Sequence, residues 1–329
     1  MSLLTSAATL KTRCALLMLS VLTLSASAWN AVGHRAVAEL VWRQMSPEAR
    51  RAASDLLRQH PHYHRLLAVD VPASANLDEW VFLNAAVWPD WVRPARPGQP
   101  PKPESVTKYN AYPHGIELPF VRSSDVGKVS LEKFPVAKPI IQTALSNSVA
   151  TLKNRNASAH DRAVSLCWAL HLCGDLHQPL HMATLVTRDK PGGYAAGGEL
   201  IVLDRHGKQI DLHSFWDQLP GLDFSCKAVA ALADQLAAAP ELQPASLSER
   251  QQRKTIPSWG QESYLLAVNF AYAEDRIQFA DAVAVRSGKV AASAIPALKE
   301  DYVREARQIA RRRLALAAWR LADELKGAW

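Results

Sequence analysis

The sequence predicts an all-α protein, a single mostly helical domain that carries one small β-hairpin. Three observations lead there. Apolar residues recur at helical spacing along most of the chain. The alternation of a strand is confined to residues 191–211. No internal repeat of 20–50 residues and no charge-block tail divides the chain.

The first element reads as an export signal over residues 1–28. Lys11 and Arg13 form its basic end, an apolar run covers residues 14–24, and Ala26-Ser27-Ala28 is a small-x-small cleavage pattern. The run is too short for a lasting transmembrane helix, and no later stretch approaches one. Cleavage would leave a domain of residues 29–329 beginning at Trp29, with no membrane anchor, secreted or periplasmic. Loss of Lys11 and Arg13 takes the formal charge from +7 to +5. That mild basicity suits a polyanionic substrate without arguing for one. With 48% apolar residues the chain can bury a substantial core.

Helices are expected over residues 34–45, 47–59, 75–88, 135–153, 159–177, 225–238, 261–275 and 297–326. Ser46-Pro47-Glu48 supplies an N-cap, a first-turn proline and an acid near the positive helix end. Residues 94–103, PARPGQPPKP, cannot be helical, because proline fixes φ and lacks the amide donor. The hairpin is built on Leu200-Ile201-Val202-Leu203 with His206-Gly207 at its turn. In the last helix Ile309, Leu314, Leu316, Leu321 and Leu325 oppose Arg311 to Arg313 and Arg320, which read as a solvated face. His60, His62 and His64 read as solvated at a helix end, and His177 as a packing or supporting residue. Cys167, Cys173 and Cys226 remain after cleavage; the first two read as small apolar core residues.

The informative segment is HLCGDLHQPLH, residues 171–181. His171 and Asp175 stand at i and i+4, so both side chains leave one helix face and can hold one cation. Gln178-Pro179 ends the helix, with His181 just beyond. A second i, i+4 pair, His213 and Asp217, lies in DLHSFWD. Imidazole with carboxylate is a zinc-type ligand set, and open positions mark catalytic sites. One such pair is commonly a surface contact; two pairs with His181 are a constellation.

On these residues the chain resembles the zinc-dependent, single-strand-specific nucleases of the S-one/P-one type, related in fold to bacterial zinc phospholipase C. The family's W-x-x-x-G-H start is matched by Trp29 to His34, and W-x-D-x-[VI]-R by Trp88 to Arg93. H-x-x-x-D-x-H-Q-P-L-H is matched by His171 to His181, and its following glycine and NLHxxWD block by Gly197-Gly198, Gly207 and Asp211 to Asp217. Near the end Trp259, Glu262, Ser263, Arg320-Leu321-Ala322 and Leu325 stand where the family has W-x-x-E-S and R-L-A-x-x-L.

The resemblance implies three Zn2+ ions. One would be held by Asp90, His114, His171 and a bridging Asp175. Its neighbour would be held by Asp175, His34, and the free amine and carbonyl oxygen of Trp29. The third would be held by His181, His213 and Asp217. It further implies cleavage of single-stranded DNA and RNA to 5'-phosphorylated products and action on 3'-nucleotides, with no stable protein partner. Asp90 would orient the attacking water, and Arg93 would meet the developing charge on phosphate. The competing readings are a phospholipase C-like lipid phosphodiesterase and a non-catalytic zinc-binding protein. Against the lipase stands H-x-x-x-D, where those enzymes use H-x-x-x-E. The sequence departs from the family beside the metal motifs: Gly115 replaces an aromatic residue, and Glu199 and Asp211 replace asparagines. The substrate-choosing wall therefore differs while the expected metal cage does not.

Overall fold

A computed structural model describes residues 29–95, 98–115, 118–132, 134 and 140–329; the expected export signal lies outside the described residues. The helices are α1 (Ala31–Gln44), α2 (Pro47–Leu57), α3 (Leu77–Ala85), α4 (Trp88–Trp91), α5 (Glu104–Thr107), α6 (Ile141–Lys153) and α7 (Ala159–Leu176). They continue as α8 (Leu212–Asp217), α9 (Cys226–Ala238), α10 (Ser248–Gln252), α11 (Ile256–Leu266), α12 (Ala282–Arg286) and α13 (Glu300–Glu324). None of the described helices is long and apolar enough to cross a membrane.

Local chemistry explains the boundaries. Asn30 caps α1 by accepting from the amides of Val32 (3.1 Å) and Gly33 (3.2 Å). Ser46 caps α2 and Ser158 caps α7 in the same way. The helix expected over 75–88 is α3, which ends at Ala85, and a separate short helix, α4, starts at Trp88, because Pro89 has no amide to continue the ladder. Thr255 and Ser258 form a reciprocal capping box that starts α11 at Ile256, earlier than the apolar pattern places it. The helix expected over 135–153 begins at Ile141; residues 135–139 lie outside the described residues.

The organising element is α7. From Leu166 to Leu176 every residue is buried, so its second half is enclosed on all sides rather than amphipathic. α6 packs along it, and α1, α13, α2, α3 and α4 close the rest. Four fully buried tryptophans, Trp29, Trp88, Trp168 and Trp216, fill the gaps. Each contributes about 1.5–3 kcal/mol or more by leaving water.

The expected hairpin is present. β3 (Leu200–Leu203) pairs antiparallel with β4 (Gln209–Asp211), Ile201 opposite Asp211 and Leu203 opposite Gln209. Gly207 supplies the positive φ, +72°, that the turn requires. A third strand, β5 (Ala280–Asp281), adds to β3, and β1 (Leu118–Phe120) pairs parallel with β2 (Ala183–Leu185). Strands of two or three residues carry too little alternation to be read from sequence.

Two expectations are corrected. Arg313 and Arg320 are not solvated; they are 1% and 2% exposed and wrap Glu262. His60 and His62 are buried, and only His64 of that trio is exposed. The indole of Trp88 donates to His62 Nδ1 at 3.0 Å, and His62 Nε2 lies 3.1 Å from the Ser105 carbonyl, which seats α4. Cys167, Cys173 and Cys226 are free thiols, the first two buried as expected.

Candidate metal centre

Two turns of α7 bring His171 and Asp175 to one face inside the core. The Ala86 carbonyl lies 2.7 Å from His171 Nδ1. It assigns the proton to Nδ1 and leaves the Nε2 lone pair facing inward. There Nε2 lies 2.7 Å from His114 Nδ1 and 3.1 Å from Asp175 Oδ2, and His114 Nδ1 is 3.2 Å from the same oxygen. Asp90, delivered by α4, points Oδ1 at this group from 3.7 Å (His114) and 3.9 Å (His171).

The other oxygen of Asp175 faces elsewhere. Oδ1 is 3.3 Å from His34 Nε2, whose ring stacks on His171 with centroids 4.0 Å apart. The close approach needs Gly174, because a Cβ there would stand 2.9 Å from His34 Nδ1. Trp29 is fully buried beside it: a Cβ on Gly33 would meet the Trp29 Cβ at 2.7 Å. The next residue is tied down, its amide donating from Asn30 to the Asp217 carbonyl at 3.1 Å.

A second group forms where α7 gives way to a 3-10 turn, Pro179–Met182. His181 Nε2 and His213 Nε2 are 3.1 Å apart, and His213 Nε2 is 3.2 Å from Asp217 Oδ2. Backbone carbonyls orient both rings, His114 for His181 (2.8 Å) and Ala196 for His213 (2.9 Å). Gln178 donates to Asp217 Oδ1 at 2.7 Å. Asp211 caps α8 by accepting from the Ser214 amide and hydroxyl, so it anchors the helix carrying His213 and Asp217.

The expected site residues thus fall into adjoining clusters. His34, Asp90, His114, His171 and Asp175 gather in one, and His181, His213 and Asp217 in the other, with 4.0 Å between His181 Nδ1 and Asp175 Oδ1. Arg93 stands at the rim, a third exposed, with NH1 3.3 Å from Asp90 Oδ1. Sequence reasoning gave no task to Gln178 or Gly115. A Cβ on Gly115 would stand 2.6 Å from the His181 carbonyl oxygen, so a side chain there forces the two clusters apart. The only sequence signal was the glycine itself.

The donor set fits metal. Both oxygens of Asp175, both ring nitrogens of His34 and Nε2 of His114 are buried without an aligned hydrogen-bond partner. Orphaned buried polar atoms are costly and call for a partner, and lone pairs converging from imidazole and carboxylate suit a zinc-class cation. Burial alone would raise Asp175, but His171, then His114 and His34, hold it well below the usual carboxylate range. His34 and His114 are lowered, chiefly by burial, and burial takes His181 down to about 3. Burial opposes a charge on His171, yet Asp175 and Asp90 outweigh it and raise that ring. Burial likewise opposes a charge on His213, and Asp217 outweighs it, raising the ring to about 9.

The S1/P1 Nuclease family model matches residues 29–328, the whole span that holds these clusters. The chain belongs to the S1/P1 nuclease family. Nuclease P1 from Penicillium citrinum is 24% identical over 189 residues, 57% of this chain and 57% of that protein. Nuclease PA3 from Penicillium sp matches with the same identity and extent. The alignment therefore spans less than two thirds of these relatives. S1/P1 nucleases are metal-dependent, and the two His/Asp clusters are candidate metal-binding groups among the described residues.

Proposed function

We propose that this S1/P1 family member is an exported, trinuclear-zinc phosphodiesterase that hydrolyses single-stranded DNA and RNA to 5'-phosphorylated products and also acts on 3'-nucleotides. The observation that carries the reading is Asp175, a fully buried carboxylate whose two oxygens address different imidazoles. In this reading Asp175 with Asp90, His114 and His171 would hold one ion, Asp175 with His34 and Trp29 a second, and His181, His213 and Asp217 a third.

Bound zinc supplies Lewis acidity, which lowers the pKa of water toward neutrality and offsets charge on phosphate oxygens. The chain supplies the rest. Asp90 accepts a hydrogen bond from the attacking water and orients it. Arg93, at the rim beside Asp90, faces the charge that develops on the phosphate. His34, His114 and His181, kept neutral by burial, offer lone pairs rather than protons. Trp29 contributes its amine once the preceding peptide is cleaved. An α-amino pKa near 7.7–8 makes deprotonation cost only about 1 kcal/mol at neutral pH. Walls around a buried cluster admit a strand whose bases are unstacked more readily than a duplex.

The test compares protein beginning at Trp29 with protein carrying one extra N-terminal methionine. Both are assayed on single-stranded DNA, RNA, a 3'-nucleotide and phosphatidylcholine, alongside zinc analysis. The expected result is cleavage of the nucleic acids by the Trp29 form with about three zinc ions bound, the count set by the ligand groups above, and loss of metal and activity in the extended form. Cleavage of lipid alone would overturn the substrate class, and equal activity of the two forms would overturn the amine ligand.

A further inference from the structure

The segment that presents Asp175, His181 and, through Gln178, Asp217 is the C-terminal end of α7. The last carbonyls of a helix lack partners within it, and here they lie in the core. Side chains meet them. His177 Nδ1 lies 2.7 Å from the Cys173 carbonyl, Ser263 Oγ donates to the Leu176 carbonyl at 2.5 Å, and Arg313 Nε donates to the His177 carbonyl at 3.2 Å. Arg313 also donates to Ser263 Oγ at 2.7 Å and pairs with Glu262. Arg320 grips both oxygens of Glu262, at 2.7 and 3.2 Å, and donates to His177 Nε2 at 3.0 Å.

Arg313, Arg320, His177 and Ser263 are all 2% exposed or less. Two guanidinium groups have thus been taken out of water against one carboxylate. Such an arrangement adds little net stability over well-packed apolar residues. What it does add is direction, since the guanidinium fork is planar and fixes its acceptors in place. Arg313 reaches the ligand turn directly at the His177 carbonyl and indirectly through Ser263, which donates to the Leu176 carbonyl.

The geometry points to Arg313, with Glu262, Ser263 and Arg320, as positioning residues for the metal centre. They form a brace from α11 and α13 that sets the 173–178 backbone and, through it, the directions of Asp175, His181 and the Gln178–Asp217 hydrogen bond. The inference rests on the metal reading above. Losing a group that orients metal ligands costs about 10–100-fold in metal affinity or activity.

Arg313→Lys keeps the charge and loses the fork; Ser263→Ala removes one carbonyl partner with little change in volume. Leu236→Ala, a buried apolar position on α9 whose side chain makes none of the brace's hydrogen bonds, serves as a control for destabilisation alone. Thermal unfolding of the metal-free proteins, zinc affinity by competition with a chelating dye, and the cobalt(II) absorption spectrum are measured for the three variants and the wild type. The expected result is folded Arg313→Lys and Ser263→Ala proteins with zinc affinity reduced about 10-fold or more and altered cobalt bands, while Leu236→Ala loses thermal stability and keeps both metal properties. Unchanged affinity and spectrum in the brace variants would overturn the proposal. So would an equal loss in Leu236→Ala, which would make the brace an ordinary part of the core. Wild-type protein that binds no metal would overturn the metal reading itself, a separate outcome.

Discussion

Asp175 is the residue on which the metal centre turns, because each of its oxygens serves a different set of imidazoles. Asparagine has nearly the same shape but offers a lone pair at one end only. Asp175→Asn is therefore expected to leave a folded protein that loses part of its metal and at least about 100-fold of its activity, the upper end of what loss of mere ligand support costs. Metal analysis with single-turnover assay checks this. Protons and metal compete at the second cluster. Asp217 raises His213 to about 9 against the pull of burial, and burial raises Asp217 to about 7, so the pair together holds at least one proton at neutral pH that metal must displace. Metal uptake there should release a proton below pH 9 and strengthen as pH rises toward it. Calorimetry in buffers of different ionisation heat reads the proton count, and a count of zero at neutral pH would contradict the assignment. The metal-ligand candidates on α7 and α8 were legible in the sequence because i, i+4 spacing alone determines which side chains share a face. Arg313, Arg320, His60 and His62 were not. Hydropathy treats a charge as solvated, and nothing local tells that a buried partner such as Glu262 waits elsewhere in the chain.

At the scale of elements the helices were readable and their joints less so. A capping box and a proline inside a helical run each moved a boundary that apolar spacing could not see, and the two-residue strand Ala280–Asp281 left no pattern to read. One joint invites a pH test. Glu249 on α10 receives the fork of Arg312 on α13, and although burial would raise it, that pairing holds its carboxyl down at about 2. The unfolded chain has the ordinary value, near 4.3. The folded state therefore gains stability from this group above roughly pH 4.3 and loses it as pH falls through the folded value of about 2. Glu249→Gln should lower the melting temperature most near pH 7 and flatten the acid part of the curve, the two proteins converging as pH falls toward 2. A parallel, merely displaced curve would assign the acid sensitivity to other carboxylates.

For the molecule as a whole, the candidate ligands drawn from residues 34 to 217 bring α1, α4, α7 and α8 to common points that a bound ion would tie together. Ligand binding to the native state alone stabilises by about 4 kcal/mol at a thousand times the dissociation constant. A domain of this size shifts by roughly 1.5–2 °C for each kcal/mol. Chelation should then lower the melting temperature by about 6 °C or more, reversed by added zinc; an unchanged midpoint would show that the folded cage needs no ion. The brace behind α7 has a consequence in time. Every His and Asp in the two clusters lies before residue 218, whereas Glu262, Arg313 and Arg320 lie after it. A chain emerging from its N-terminus owns all of those ligands long before it owns the wall that aims them. The ability to capture metal would thus arrive with the final helix, making a loaded centre a receipt for a finished fold.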